Sequence, residues 1–462
     1  MICKKKETIY QLTVTLDVGW VSSYIIAKNF AMKQNGFKSI YFKSNDFKSN
    51  NFKLFYFKSK YFKLFHFKSF YFKSNDYICG VKLMVCAMES PFVYGKMAES
   101  EFFIDREKET QQLLGNFKGL VNTAIISPRR WGKTSLVNKT LEMLEEDKGF
   151  YAVRIDIFNC RTEEQFYKTY VNAVLQASAS KLDEWVALMK KHIGSVGPKI
   201  SLGEGSSAYE VTFGLNFKEV QYSEDEILDL PQRIAEEKGK KFVICIDEFQ
   251  NVGNYTDSLA FQRKLRSHWQ LHNSVCYCLY GSKRHMLLDI FGNYEMPFYK
   301  FGDLMFLDKI AEADWIPYIR RQFKKTGKSI SKALASEIVR KVDAHPYYVQ
   351  QLSHQVWLRT EDACTAETIE TAHANIIDQM RLLFSNLLDS LTPKQINFLH
   401  AVVDGVESFS SKTILDQYEL GTSANIKNLR KAMLQRDLID VLPGKTEIQD
   451  PIFAAWLKQQ VV

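Results

Sequence analysis

The sequence predicts an α/β fold in which a parallel sheet is flanked by helices and followed by a helical lid and a C-terminal winged helix. Three observations carry this prediction. Between residues 88 and 305, short β-branched apolar runs lie among segments of helical apolar spacing, the pattern of a buried parallel sheet with crossover helices. From 306 to 385 only helical spacing remains. From 386 to 462 the order is three helices, two short strands around a Pro-Gly pair and a closing helix.

The first 87 residues stand apart. They hold 15 Lys, no Arg and 4 acids, a net charge of +11, whereas the whole chain carries +8, so residues 88–462 carry −3. The basic character therefore belongs to the N-terminal segment and not to the folded body. From Phe37 to Asp76 the chain repeats an FKSxx-like unit eight times. A period of five fits neither a strand nor an ordinary helix. Segment 1–87 is expected to be a low-complexity tract, disordered or translated upstream of a start at Met84 or Met88. Asp17 breaks the early apolar run, which argues against a secretory signal. No stretch of about 18 apolar residues occurs, so no membrane span is expected. The eight cysteines form no CxxC pair. Buried free thiols in a reducing cytoplasm explain them, and a cytoplasmic protein is expected. At 46% hydrophobic and 25% charged, the whole chain has the composition of a globular protein.

The core begins with "TAIIS", a short buried strand, and "KTSLVNKTLEML", a helix with Leu136, Leu141 and Leu144 on one face. Between them lies S-P-R-R-W-G-K-T. Strand, loop and helix in that order form the context of a phosphate-binding P-loop. Backbone N–H groups of Ser127, Pro128, Arg129, Arg130, Trp131, Gly132, Lys133, Thr134 and Ser135 (Pro128 excepted as a donor) would surround the phosphates at a helix N-terminus, whose dipole favours anions. Lys133 would reach the β- and γ-phosphates, and the Thr134 hydroxyl would ligate Mg²⁺. Ser127 stands where such loops begin with glycine. Pro128 biases it toward extended backbone, which serine adopts without strain.

A second strand, "KFVICIDEFQ" at 241–250, is a continuous apolar run ending in two acids. Ligands sit at the carboxyl ends of strands in open α/β sheets. Asp247 is expected to hold Mg²⁺, and Glu248 to orient and deprotonate the attacking water. "FYAVRIDIFN" at 150–159 reads as another strand. So does "SVCYCLY" from 274, which ends at Gly281-Ser282. Ser282 is the candidate for sensing the γ-phosphate, with Arg284 behind it.

These motifs together resemble the AAA+-like archaeal-type ATPase family, itself similar to signal-transduction NTPases and origin-recognition ATPases. That family's loop reads GPRRxGKTSL, where this chain has SPRRWGKTSL; its acidic strand ends in Asp-Glu, often followed by Phe-Gln, where this chain has VICIDEFQ. An FVGREKEL-like box near the adenine corresponds to "FIDREKET", 103–110, with Asp105 in place of glycine. A GHPYYLQ-like lid segment corresponds to "AHPYYVQQL", 344–352, with Ala344 in place of glycine. The resemblance covers about residues 90–460 and implies ATP binding, with slow hydrolysis coupled to a conformational switch.

The remaining segments decorate this core. Residues 162–217 form an insert of helices followed by a β-hairpin around Gly-Glu-Gly-Ser-Ser. Pro346 starts a lid helix, and the loop before it is expected near the nucleotide. In the winged helix the third helix carries Lys427, Arg430, Lys431 and Arg436 with no acid between 420 and 436, as a major-groove helix does. Yet residues 386–462 hold 8 basic and 9 acidic residues, so a protein partner stays open beside DNA. Oligomerisation on ATP binding is a further open expectation. Two functions remain: a Mg²⁺-dependent ATPase switch, or a non-hydrolysing, nucleotide-gated scaffold or DNA-binding regulator. The Asp247–Glu248 pair favours the first, because a scaffold does not need Glu248.

Overall fold

The computed structural model describes residues 12–18, 21–27, 69–74, 77–83, 90–95, 104, 106–179, 182–193, 199–202, 211–214, 224–442 and 444–460. The chain divides into two units, Met1–Ser90 and Pro91–Val462. In the first unit, β1 (Leu12–Val18), β2 (Val21–Ala27), β3 (Ser69–Ser74) and β4 (Tyr77–Leu83) form an antiparallel sheet of order β2-β1-β4-β3. Within the segment 1–87, for which a disordered tract is one expectation, residues 1–11, 19–20, 28–68, 75–76 and 84–87 lie outside the described residues, so most of that expectation falls on them.

The second unit opens with α1 (Glu107–Lys118) and β5 (Thr123–Ile126). Next come α2 (Lys133–Glu145), β6 (Phe150–Asp156), α3 (Glu163–Ser178) and α4 (Leu182–Ile193). β7 (Lys199–Leu202) and β8 (Val211–Gly214) pair as an antiparallel hairpin, with Leu202 opposite Val211. α5 (Glu224–Leu228), α6 (Leu230–Lys238), β9 (Lys241–Asp247), a short 3-10 helix (Phe249–Asn254), α7 (Ser258–Trp269), β10 (Val275–Tyr280), α8 (Arg284–Gly292) and β11 (Asp303–Phe306) complete the core.

Five parallel strands run in the order β11-β5-β10-β9-β6. The central three are buried along nearly their whole length, which is why their sequences are unbroken apolar runs. Helices cover both faces. Leu136, Val137, Leu141 and Leu144 of α2 pack with Leu113 and Phe117 of α1 on one side. Phe166, Tyr170 and Val174 of α3 pack with Trp269 of α7 on the other. The sequence reading did not include β11. It has four residues, and of these only Met305 is buried, so it carries little apolar signal.

The lid comprises α9 (Glu312–Lys325), α10 (Lys332–Lys341), α11 (Pro346–Arg359) and α12 (Ala366–Asp389). The winged helix follows as α13 (Pro393–Val403), α14 (Lys412–Gln417), α15 (Ser423–Gln435), the antiparallel pair β12 (Ile439–Leu442) and β13 (Lys445–Ile448), and α16 (Pro451–Gln460). Thr392 and Gln395 form a reciprocal capping box at the start of α13. Ile426, Leu429 and Met433 bury one face of α15. α12 runs without a break through the division expected at 385/386. Phe384 on α12 packs against Phe453 and Trp456 of α16, so lid and winged helix share one hydrophobic core.

Candidate nucleotide-binding site

Parallel pairing brings the carboxyl ends of β5, β10 and β9 side by side, with Tyr280 opposite Ile125 and Leu279 opposite Ile246. The three loops that follow these strands therefore converge. They are the 127–132 loop, Gly281-Ser282 and Asp247-Glu248. The lid closes the fourth side. The result is a cavity of about 520 Å³ lined by Arg129 to Ser135, Asp247, Glu248 and Ser282, with Tyr94, Trp315 and Tyr347 across from them.

The loop is held by its own lysine. Lys133 is buried, and its Nζ donates to Pro128 O at 2.7 Å, Ser127 O at 3.0 Å and Ser127 Oγ at 3.2 Å. Burial lowers its pKa to about 8. The nearby Asp247 and Glu248 carboxylates resist that shift, and Arg129 adds to it. The left-handed positions of the loop are Arg130 (φ 63°) and Gly132 (φ 91°); Ser127 is not among them. Serine at the loop entrance therefore carries no conformational penalty. Its hydroxyl joins the lysine's set of acceptors, a contact glycine could not make.

The Thr134 hydroxyl donates to Asp247 Oδ2 at 3.0 Å, so the two candidate metal ligands already touch. Burial pushes the Asp247 carboxyl up to about 6, against the bonds from Glu248 N–H and Thr134. A hydroxyl beside a carboxylate is a hard oxygen donor set, the kind that suits Mg²⁺. Glu248 sits in the left-handed region (φ 57°), which turns the chain sharply off the strand. Ser282 Oγ donates to Glu248 Oε2 at 2.9 Å and its backbone N–H at 3.4 Å.

Arg284, the weaker sensor candidate, pairs with Asp440 of the winged helix. His285 lies 3.2 Å from Asp437, and Lys309 lies 3.7 Å from Glu447. The wing thus packs on the segment that follows Ser282. On α15, Lys427 and Lys431 remain exposed, while Arg430 lies over Phe409; Arg436, just past the end of the helix, donates to Ser390 Oγ at 3.0 Å. His345, just before α11, is buried edge-on to Trp131 of the loop, and burial lowers its pKa to about 4. It packs between the loop and the lid, against Trp131 and Tyr348. Arg130 lies over the Tyr347 ring at 4.6 Å, joining loop to lid.

Arg106 was not singled out by sequence. It donates to Asp308 O at 2.7 Å and Trp131 O at 3.4 Å, and pairs with Glu109, tying the 103–110 box to the loop and to the entrance of the lid. Its place in "REKET" was the only available signal. Phe103 and Asp105 of that box lie outside the described residues.

The fold is that of a P-loop NTPase core with a helical lid and a C-terminal winged helix. Residues 382–459 match the family model described as "Probable winged helix domain". The chain is similar to the Walker-type ATPase of Pyrococcus abyssi, with 18% identity, 80% of this chain and 99% of that one covered, and a TM-score of 0.57. It is also similar to the ORC2 protein of Aeropyrum pernix, solved in ADPNP–ADP complexes, with 12% identity, 80% and 98% coverage, and a TM-score of 0.49. At these identities the likeness is one of fold, and the first of the two carries it. No curated protein matches the chain. Among the described residues, no helix is long and apolar enough to cross a membrane.

Proposed function

We propose that this chain binds ATP with Mg²⁺ and hydrolyses it, using the cycle as a conformational switch. The supporting observation is the meeting of Lys133, Thr134, Asp247, Glu248 and Ser282 around one cavity at the carboxyl ends of adjacent strands. In this reading the backbone of residues 127–135 and the start of α2 cradle the phosphates. Lys133 leaves the carbonyls of Ser127 and Pro128 for the β- and γ-phosphates. Thr134 and Asp247 hold Mg²⁺, which when bound neutralises charge on the phosphates. Glu248 orients the attacking water and takes its proton. Ser282 links Glu248 to the γ-phosphate end of the cavity. The exposed pair Lys427 and Lys431, one turn apart on α15, favours duplex DNA as the partner of the winged helix.

Calorimetry with ATP tests the binding half. Wild type is expected to bind in a Mg²⁺-dependent way, and Thr134→Ala to lose that dependence. Equal affinity of both proteins with and without Mg²⁺ refutes the assignment of Thr134. Fluorescence anisotropy with a DNA duplex tests the partner. Binding that weakens with salt, and weakens further in Lys427→Ala/Lys431→Ala, supports DNA; salt-independent or absent binding removes it.

A further inference from the structure

We propose that Gln250 is a positioning residue for Glu248, locking one carboxylate oxygen so that the other is left to accept the proton of water. The proposal rests on the reading of Glu248 as general base.

Gln250 is buried, in the 3-10 helix that follows β9. Its neighbour Phe249 is fully buried against Trp269, Phe291 and Phe298, so the element that carries Gln250 is anchored in the core. Gln250 Nε2 donates to Glu248 Oε2. The amide must face this way, because its oxygen would meet a carboxylate. The same oxygen accepts from the Ser282 hydroxyl and the Ser282 backbone N–H. Three donors therefore converge on Oε2. Among the described residues Oε1 has no hydrogen-bond donor.

The packing beneath the amide is fitted to it. A Cβ on Gly281 would come within 1.9 Å of Gln250 Oε1, 3.0 Å of its Cδ and 3.2 Å of Glu248 Cα. The bare glycine at the end of β10 makes the room in which this amide lies. Gln250 Oε1 itself is buried with no partner in the structure. A buried amide with one unsatisfied end is costly to keep, and an apolar side chain of similar length would avoid that cost. The arrangement therefore serves the geometry of Glu248 and not the stability of the core.

The test is steady-state phosphate release and ATP affinity for the full chain and for Gln250→Met, Gln250→Leu, Ser282→Ala, Gln250→Met/Ser282→Ala and Glu248→Gln. Loss of positioning should lower kcat by about 10–100-fold in the Gln250 variants, with ATP affinity and melting temperature close to wild type. Because Gln250 and Ser282 bond the same oxygen, the double variant should lose less than the product of the single losses. If the Gln250 variants turn over like wild type while Glu248→Gln is inactive, the proposal falls and the base assignment stands. If the variants lose activity only in step with ATP affinity and melting temperature, Gln250 is structural and the proposal falls. If wild type and Glu248→Gln release phosphate at the same rate, both fall.

Discussion

Replacing Lys133 with Met should leave the free protein as stable as wild type and remove its response to ATP. The lysine is buried, and its pKa near 8 against an ordinary 10.5 means that burial disfavours the charged form by about 3 kcal/mol. Methionine removes that cost and fills similar space. It also strips a donor from Ser127 O, Ser127 Oγ and Pro128 O, which lie at 3.0, 3.2 and 2.7 Å. Leaving a buried acceptor unpaired costs about 1–3 kcal/mol each, but all three lie at the start of the 127–132 loop, whose later residues line the open cavity, so water admitted from the cavity can replace the lysine. The two effects nearly cancel, so the net change is expected within about 2 kcal/mol of zero. Binding has no such cancellation. The variant lacks the cation for the phosphates, and a charge-assisted contact of this kind is worth about 2–3 kcal/mol or more, at least a 30-fold loss of affinity. Differential scanning fluorimetry with and without Mg²⁺-ATP reads both quantities at once. A variant that melts far below wild type yet is still stabilised by ATP would refute the reasoning, because Lys133 would then be a structural residue.

Three further predictions follow from the same geometry. ATP affinity should fall as pH rises above about 8, because the free protein's Lys133 then loses a proton that the bound state must recover; calorimetry in buffers of different ionisation heat should show proton uptake at pH 9 and little at pH 7. Gly132→Ala should distort the loop, since φ is 91° there, where alanine costs about 1–2 kcal/mol although no atom crowds the added carbon; a drop in ATP affinity without global unfolding checks it. Arg284→Ala should free Asp440 and loosen the winged helix, seen as faster amide exchange in β12 and α8 with the core sheet unchanged.

Much of this architecture is written locally. The strands β5, β9 and β10 are buried on both faces, so each leaves an unbroken apolar run, and polar residues that follow those runs line the candidate site. Asp247, Glu248 and Ser282 could therefore be picked out from strand ends, and Lys133 and Thr134 from the strand–loop–helix motif between β5 and α2. What the sequence hid is pairwise. Arg106 works through backbone carbonyls 25 and 202 residues away, and a carbonyl has no residue type. Gln250 and Gly281 matter only because one fills the space the other leaves. Arg284, the weaker sensor candidate behind Ser282, pairs with Asp440 of the winged helix, a contact 156 residues away that no strand-end pattern reveals. The division at 385/386 rested on a change of motif, whereas α12 joins both sides because Phe384 belongs to the winged-helix core.

The central claim is that Glu248, positioned beside a P-loop, makes this chain a hydrolase. Phosphate release under saturating Mg²⁺-ATP, measured for wild type and Glu248→Gln with and without duplex DNA, tests it most directly. The account predicts slow release by wild type, release at background by Glu248→Gln, and ATP bound equally well by both, because the amide still accepts a hydrogen bond but takes no proton. Release at one common background rate in every condition, with ATP bound by both proteins, would contradict the account and leave a nucleotide-gated scaffold.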